Sequence, residues 1–196
     1  ATRMNIDTSL KPLGEIDVEP LRKAILDLDE AAWHSNAQRQ TDYEVHRLTN
    51  SIILVFCDGP MHDLVVSKQN GWDLLAEPAV PIMHELINRA YPPGGTIIRA
   101  MAAKLLARGR IAPHFDSHAT FRRSHRIHVP ITTNPRVRFM IDGKPYRMDV
   151  GQAYEINNQQ THSVMNSGAE DRITFIFDYM PPDEIADVRR ESAATG

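Results

Sequence analysis

From Thr96 onward the chain is a succession of short β-type runs, each stopped by turn residues within a few positions. The runs cover 96–106, 111–115, 126–131, 136–141, 146–148, 153–156, 161–165 and 172–179, with Gly109, Asn134-Pro135, Gly151, Asn157-Asn158 and Ser167-Gly168 among the breaks. Asp142-Gly143 has the signature of a two-residue hairpin turn, because both central positions of that turn need positive φ. Strands this short at regular spacing do not make a stable sheet singly, and they call for a double-sheet barrel of jelly-roll type. The fold class expected is therefore mainly β with flanking helices.

Ahead of this core the pattern is mixed. Leu21, Ile25 and Leu28 share a helical face over 18–28, with Asp17 as a capping residue and Pro20 in the first turn, where its missing N–H matters least. Residues 52–57 read as a buried strand stopped by Asp58-Gly59-Pro60, and a helix is expected over 81–90 before Tyr91-Pro92-Pro93-Gly94-Gly95. The chain of 196 residues is thus expected to be one domain, in which 1–95 is a helical or mixed part packed on the barrel. Residues 96–182 would be the core, closed by Pro181-Pro182, and 183–196 a short helix and tail. The longest apolar run, 52–57, is far too short to span a bilayer. The first residues lack the regions of a signal peptide, and a single cysteine, Cys57, fits a reducing compartment; the location expected is cytoplasmic. Cys57 itself reads as a small buried apolar residue.

The net charge of −3 hides an asymmetry. Between Lys104 and Arg138 there are eight Lys and Arg against one acid, Asp116, and the remainder of the chain carries 14 basic against 24 acidic residues. This stretch is either a solvated basic face or a pocket for small anions. With only Phe115 and Phe121 to stack on bases, it is a poor nucleic-acid groove.

His114-Phe115-Asp116 sets an imidazole and a carboxylate two apart, which on a strand places both on one side. His162 lies in a second expected strand, 46 residues after Asp116. Two histidines and one carboxylate form the facial triad of non-haem Fe(II) oxygenases, which leaves three metal positions open. Arg172, ten residues beyond His162, can project into the same cavity and grip a carboxylate in bidentate fashion. The plainer alternative is a strand arginine paired with Asp171 or Glu170 at the surface. His118 and His125 are rival ligands. Asn158 and Asn166 are either turn residues or groups that orient His162 from behind. Trp33, His34, Asn36, Arg39 and Tyr43 form a polar-aromatic cluster that could line a substrate entrance.

Five segments together carry a resemblance: His114-Phe115-Asp116, the run 124–131 (Ser-His-Arg-Ile-His-Val-Pro-Ile), Glu155-Ile156-Asn157-Asn158, His162-Ser163-Val164-Met165-Asn166, and the run 172–178 (Arg-Ile-Thr-Phe-Ile-Phe-Asp). In order and spacing, over 96–182, they resemble the aspartyl/asparaginyl β-hydroxylase family of Fe(II)/2-oxoglutarate oxygenases, of which bacterial proline 3-hydroxylase is a relative. The resemblance implies a double-stranded β-helix (jelly roll, cupin-like) and hydroxylation coupled to conversion of 2-oxoglutarate and dioxygen to succinate and CO2. It implies that His114 and His162 bind iron, that Arg172 binds the distal carboxylate of 2-oxoglutarate, and that Arg126 and His128 flank the co-substrate. There are departures. The animal enzymes lack a metal-binding carboxylate where Asp116 stands, and the serine that helps them hold 2-oxoglutarate has no counterpart near Lys104. The function expected is hydroxylation of an unactivated C–H bond in a small molecule or peptide, an amino acid, aminoacyl group or other carboxylate-bearing substrate. The competing reading is a non-catalytic cupin-like sensor of metal or 2-oxoglutarate. No membrane partner is expected, and nothing in the chain speaks to its oligomeric state.

Overall fold

The computed structural model describes residues 6–34, 49–185 and 188–190. Its strands are β1 (Leu10–Glu15), β2 (Thr49–Asp58), β3 (Leu64–Lys68), β4 (Thr96–Leu105), β5 (Arg110–His114), β6 (His125–Thr132), β7 (Val137–Ile141), β8 (Lys144–Tyr146), β9 (Gln152–Ile156), β10 (His162–Asn166), β11 (Arg172–Met180) and β12 (Val188–Arg190). The helices are α1 (Glu19–Leu26), α2 (Glu30–His34), α3 (Gly71–Ala90) and α4 (Ala119–Arg123). A major sheet runs β1-β9-β6-β11-β4-β2-β3-β12 and a minor sheet β5-β10-β7-β8. The two sheets make the jelly roll that strand spacing predicts.

Period-two alternation decides what each face of the major sheet carries. On β11, Ile173, Phe175, Phe177 and Tyr179 join Ile98, Ala100, Ile127 and Val129 in an apolar layer beneath α1 and α3. The alternate residues, Arg172, Thr174, Ile176 and Asp178, face the minor sheet, where Leu105, Phe139, Ile141, Tyr154, Ile156 and Val164 form a smaller apolar cluster. The strand is buried on both sides, but only one side is apolar. The β7–β8 turn has φ of 51° at Asp142 and 76° at Gly143, the left-handed pair that the Asp-Gly dipeptide favours.

Three expectations need correction. The helix expected over 81–90 begins at Gly71, with Pro78 and Pro81 inside it. Each proline removes one backbone donor, but the carbonyls left over belong to Leu74 and Glu77 on the exposed side. Burial of Leu75, Ala79, Ile82, Met83 and Leu86 on the opposite side outweighs that loss. Gly71 lets the helix start against β2, since a Cβ there would lie 2.5 Å from the Ile53 carbonyl oxygen. The N-terminal part also does more than pack on the barrel, because β1, β2 and β3 are strands of the major sheet. Pro12 and Gly14 mask β1 in the sequence, but an edge strand with a bulge between them accommodates both. Finally, no helix forms in the described part of 183–196. One 3-10 turn (Pro182–Glu184) leads to β12, parallel to β3, and Ile185 and Val188 pack on the apolar layer. Among the described residues no helix is long and apolar enough to cross a membrane.

Candidate active site

His114 closes β5 and His162 opens β10, and the two stand opposite each other in the antiparallel register of the minor sheet. Asp116 lies just past the end of β5. Its backbone N–H donates to the Asn158 carbonyl (3.0 Å), and its own carbonyl accepts from Gln159 Nε2 (2.9 Å). These bonds turn the carboxylate toward the histidines, with Oδ1 3.6 Å from His114 Nε2 and 3.8 Å from His162 Nε2. One ligand atom from each of the three residues lies within 4.8 Å of the others. In both rings Nδ1 faces a backbone carbonyl, that of Ala112 at 2.8 Å and that of Gln160 at 2.9 Å. A carbonyl only accepts, so Nδ1 carries the proton and the lone pair sits on Nε2, aimed at the common point. Burial pushes the His162 imidazole below its ordinary range despite the nearby Asp116 charge, which keeps it neutral and ready to ligate. His114 is 25% exposed and His162 8%, so the group opens to solvent on the β5 side.

A cavity of about 520 Å³ is lined by Arg172, Phe139, Val137, Pro130 and Tyr146 among others, and it reaches the triad only through Phe139, the neighbour of His162. The Phe139 ring stacks on His162 with centroids 6.4 Å apart, and the Arg172 guanidinium lies 5.5 Å from the centre of the same ring. Arg172 is buried and has no carboxylate partner among the described residues. Asp171, the surface partner weighed for it, instead accepts from the Ala107 N–H. Burial alone pulls the Arg172 pKa down to about 10. His128 and Thr174 are buried on the same inter-sheet face, and His128 Nδ1 and Thr174 Oγ1 find no hydrogen-bond partner among the described residues. Burial, then the charges of Arg172 and Arg126, hold His128 well below the ordinary histidine range. A guanidinium, a hydroxyl and a neutral imidazole, all short of partners, make a receptor for an acidic oxygen-rich molecule.

Arg126, expected beside the co-substrate, lies at the triad and is paired with two carboxylates. Its Nε and Nη2 donate to the two oxygens of Asp178 at 2.8 and 2.9 Å, and Nη1 reaches Asp116 Oδ2 at 3.5 Å. Asp178, also held by Arg99 (3.2 Å), stays ionised: burial would raise its pKa, but the two guanidinium groups hold it below the usual carboxylate range. Of the rival ligands, His118 is the N-cap of α4, its Nδ1 accepting from the Thr120 N–H (3.2 Å), and His125 Nδ1 lies 2.7 Å from Glu155 on the helical side of the sheet. Asn166 is a turn brace that donates to the Glu170 carbonyl and accepts from Gly168. Trp33 is buried in the apolar layer, while Asn36, Arg39 and Tyr43 lie outside the described residues.

Thr174, Asp178, Arg99 and Gln159 escape the sequence analysis. For the first two there is a signal: polar residues two or four apart in a strand that is otherwise apolar, which puts them on the face of Arg172.

The model of the aspartyl/asparaginyl beta-hydroxylase family matches residues 68–182, more than half of the chain, with β4 to β11 and the whole triad inside the match. The chain belongs to this family. It is accordingly a hydroxylase of the dioxygenase class. Solved structures share the hydroxylase's fold at low identity. A prolyl hydroxylase from Trichoplax adhaerens, in complex with a hypoxia inducible factor oxygen degradation domain peptide, is 13% identical with a TM-score of 0.61. It covers 91% of this chain and 86% of its own. A 2OG-Fe(II) oxygenase family oxidoreductase from Burkholderia pseudomallei is 11% identical with a TM-score of 0.52, covering 91% and 96%. A Pseudomonas putida prolyl-4-hydroxylase is 10% identical with a TM-score of 0.50, covering 89% and 94%. No curated protein sequence matches the chain. Within the hydroxylase, the two histidines and Asp116 suit a ferrous ion in number and donor type. The buried unpartnered groups around Arg172 suit an acidic co-substrate.

Proposed function

We propose that this protein is an Fe(II)- and 2-oxoglutarate-dependent hydroxylase of an unactivated C–H bond, with His114, Asp116 and His162 as the iron ligands. Bound there, ferrous iron with 2-oxoglutarate and dioxygen would supply the oxidising chemistry, releasing succinate and CO2. The observation that carries the reading is the convergence of His114 Nε2, Asp116 Oδ1 and His162 Nε2, with unpaired Arg172 buried beyond Phe139.

The side chains divide the remaining work. Ala112 and Gln160 fix the histidine tautomers, so no proton has to leave Nε2 before a metal binds. Arg172 receives the distal carboxylate of 2-oxoglutarate through its planar fork, and Thr174 Oγ1 adds a donor on the same face. Neutral His128 contributes a ring nitrogen without a second positive charge beside Arg172. Phe139 walls the space between Arg172 and His162 and keeps bulk water from it. The substrate would enter on the β5 side, where His114 is the most exposed of the three ligands. Arg138, exposed and in the lining of the cavity that Arg172 shares, favours a substrate bearing a carboxylate, as a free amino acid or within a peptide.

The test is succinate formation from 2-oxoglutarate by Fe(II)-loaded protein under air, followed by a mass-spectrometric screen of amino acids and peptides for gain of one oxygen. Fe(II)-dependent succinate is the expected result. Binding of 2-oxoglutarate with no succinate against any candidate substrate would favour the sensor reading.

A further inference from the structure

Arg99 of β4, Asp178 of β11 and Arg126 of β6 stand directly opposite one another across three adjacent strands. Asp178 is fully buried and accepts from Arg126 Nε and Nη2 and from Arg99 Nη1. The row does not end at Arg126, because its Nη1 lies 3.5 Å from Asp116 Oδ2, the oxygen that does not face the histidines. At the other end Arg99 Nη2 donates to Thr120 Oγ1 (2.6 Å). The Phe121 ring covers both guanidinium groups, 4.1 Å from Arg99 and 4.8 Å from Arg126. Thr120 and Phe121 belong to α4, which begins three residues after Asp116. The segment that carries Asp116 is therefore tied to the row twice, once through the carboxylate and once through the helix.

We infer that the Arg99–Asp178–Arg126 row is the positioning device for the metal carboxylate. The inference rests on the reading of Asp116 as a ligand. A guanidinium in a bidentate pair has its plane fixed, so the Nη1 edge can point in one direction only, and here that direction is Asp116. Turning Arg126 away from this pair would leave Asp178, in a low-dielectric site, with Arg99 alone. Two guanidinium groups face two carboxylates, so the row hands Asp116 a hydrogen-bond donor without presenting excess positive charge to a dication. With Oδ2 held from behind, Oδ1 remains for the metal, the arrangement in which outer partners tune ligand geometry.

The experiment uses the apo-protein and Co(II) alone as the probe, by calorimetry and by the Co(II) absorption spectrum. Arg126→Met should weaken Co(II) binding by about 10–100-fold and alter the spectrum. In an Asp116→Ala background the same substitution should cause no further loss, because the two act through one contact. Arg126→Lys, which keeps charge but not the fork, should recover Co(II) binding only in part, and it replaces Arg126→Met if that variant does not fold. Unchanged Co(II) affinity with weakened 2-oxoglutarate binding would overturn the inference and assign Arg126 to the co-substrate alone. Equal Co(II) losses with and without Asp116 would overturn it as well. His162→Ala separates the two levels. If it leaves Co(II) binding intact, the ligand assignment fails; if it abolishes binding while Arg126→Met does not weaken it, the row alone fails.

Discussion

Replacing Arg172 with methionine should make the protein more stable and unable to hold its co-substrate. Arg172 is 7% exposed and has no carboxylate partner among the described residues, and burial alone pulls its pKa down to about 10. At about 1.4 kcal/mol per pH unit, that displacement from the usual arginine range corresponds to roughly 3 kcal/mol of charging penalty. A base whose folded pKa lies below its unfolded one destabilises the fold at every pH below the folded value, so the penalty is present in full at neutral pH. Against it stands the contact with Phe139 at 5.5 Å, worth about 1 kcal/mol. Methionine fills a similar volume without charge, which leaves a net gain of about 1–2 kcal/mol and a rise in Tm of roughly 2–8 °C for a domain of this size. The same substitution removes a charged fork worth about 1.5–3 kcal/mol to a carboxylate, or roughly 10–150-fold in affinity. Paired thermal melts of the metal-free proteins, and titrations of the Mn(II)-loaded proteins with 2-oxoglutarate, read both effects. In wild type, 2-oxoglutarate should raise Tm, and in Arg172→Met it should not. A variant that is less stable than wild type and binds 2-oxoglutarate with wild-type affinity would refute the reasoning, because Arg172 would then be a structural cation.

Thr174→Val should be neutral or slightly stabilising, since it replaces a buried hydroxyl without a partner by a methyl group, yet it should weaken 2-oxoglutarate binding by a hydrogen bond of about 1 kcal/mol; a calorimetric titration checks both halves. His162→Ala should abolish succinate formation and Fe(II) binding, whereas His118→Ala should keep both and lose only about 1 kcal/mol of stability as an N-cap of α4. Asn166→Ala should cost about 2–3 kcal/mol in denaturant unfolding, because the buried carbonyl of Leu105 and the N–H of Gly168 lose a partner, while metal affinity stays unchanged.

Period-two alternation and turn chemistry are local properties, and they are why the strands from β4 to β11 were legible along the chain. His114 and Asp116 were legible for the same reason, since residues two apart at a strand end share a side whatever the rest of the molecule does. His162 and Arg172 were singled out by donor type and order alone, but a separation of 46 residues brings no side chains together until a register is known. The prolines hid α3: Pro78 and Pro81 break a helix in isolation, but not one whose freed carbonyls face water and whose other side is buried. Val188–Arg190 was misread because a three-residue edge strand owes its conformation to the neighbouring β3, not to its own residues.

What the amino-acid sequence determined by itself is therefore the identity of β2 and of the strands from β4 to β11, with the short-range pair His114 and Asp116, because dihedral preference and side-chain alternation act between neighbours in the chain. Only the tertiary structure decided which carboxylates Arg126 pairs with. Its motif, Arg-x-His two residues apart on β6, points both side chains to the inter-sheet face, and so places it near the cavity. That the guanidinium pairs with a resident carboxylate depends on Asp178, 52 residues away, being set opposite it by the β6–β11 register. Electrostatic pairing falls off with distance and sharpens in a buried site, so a partner decides a charged side chain's function only where the fold brings the two within hydrogen-bond reach.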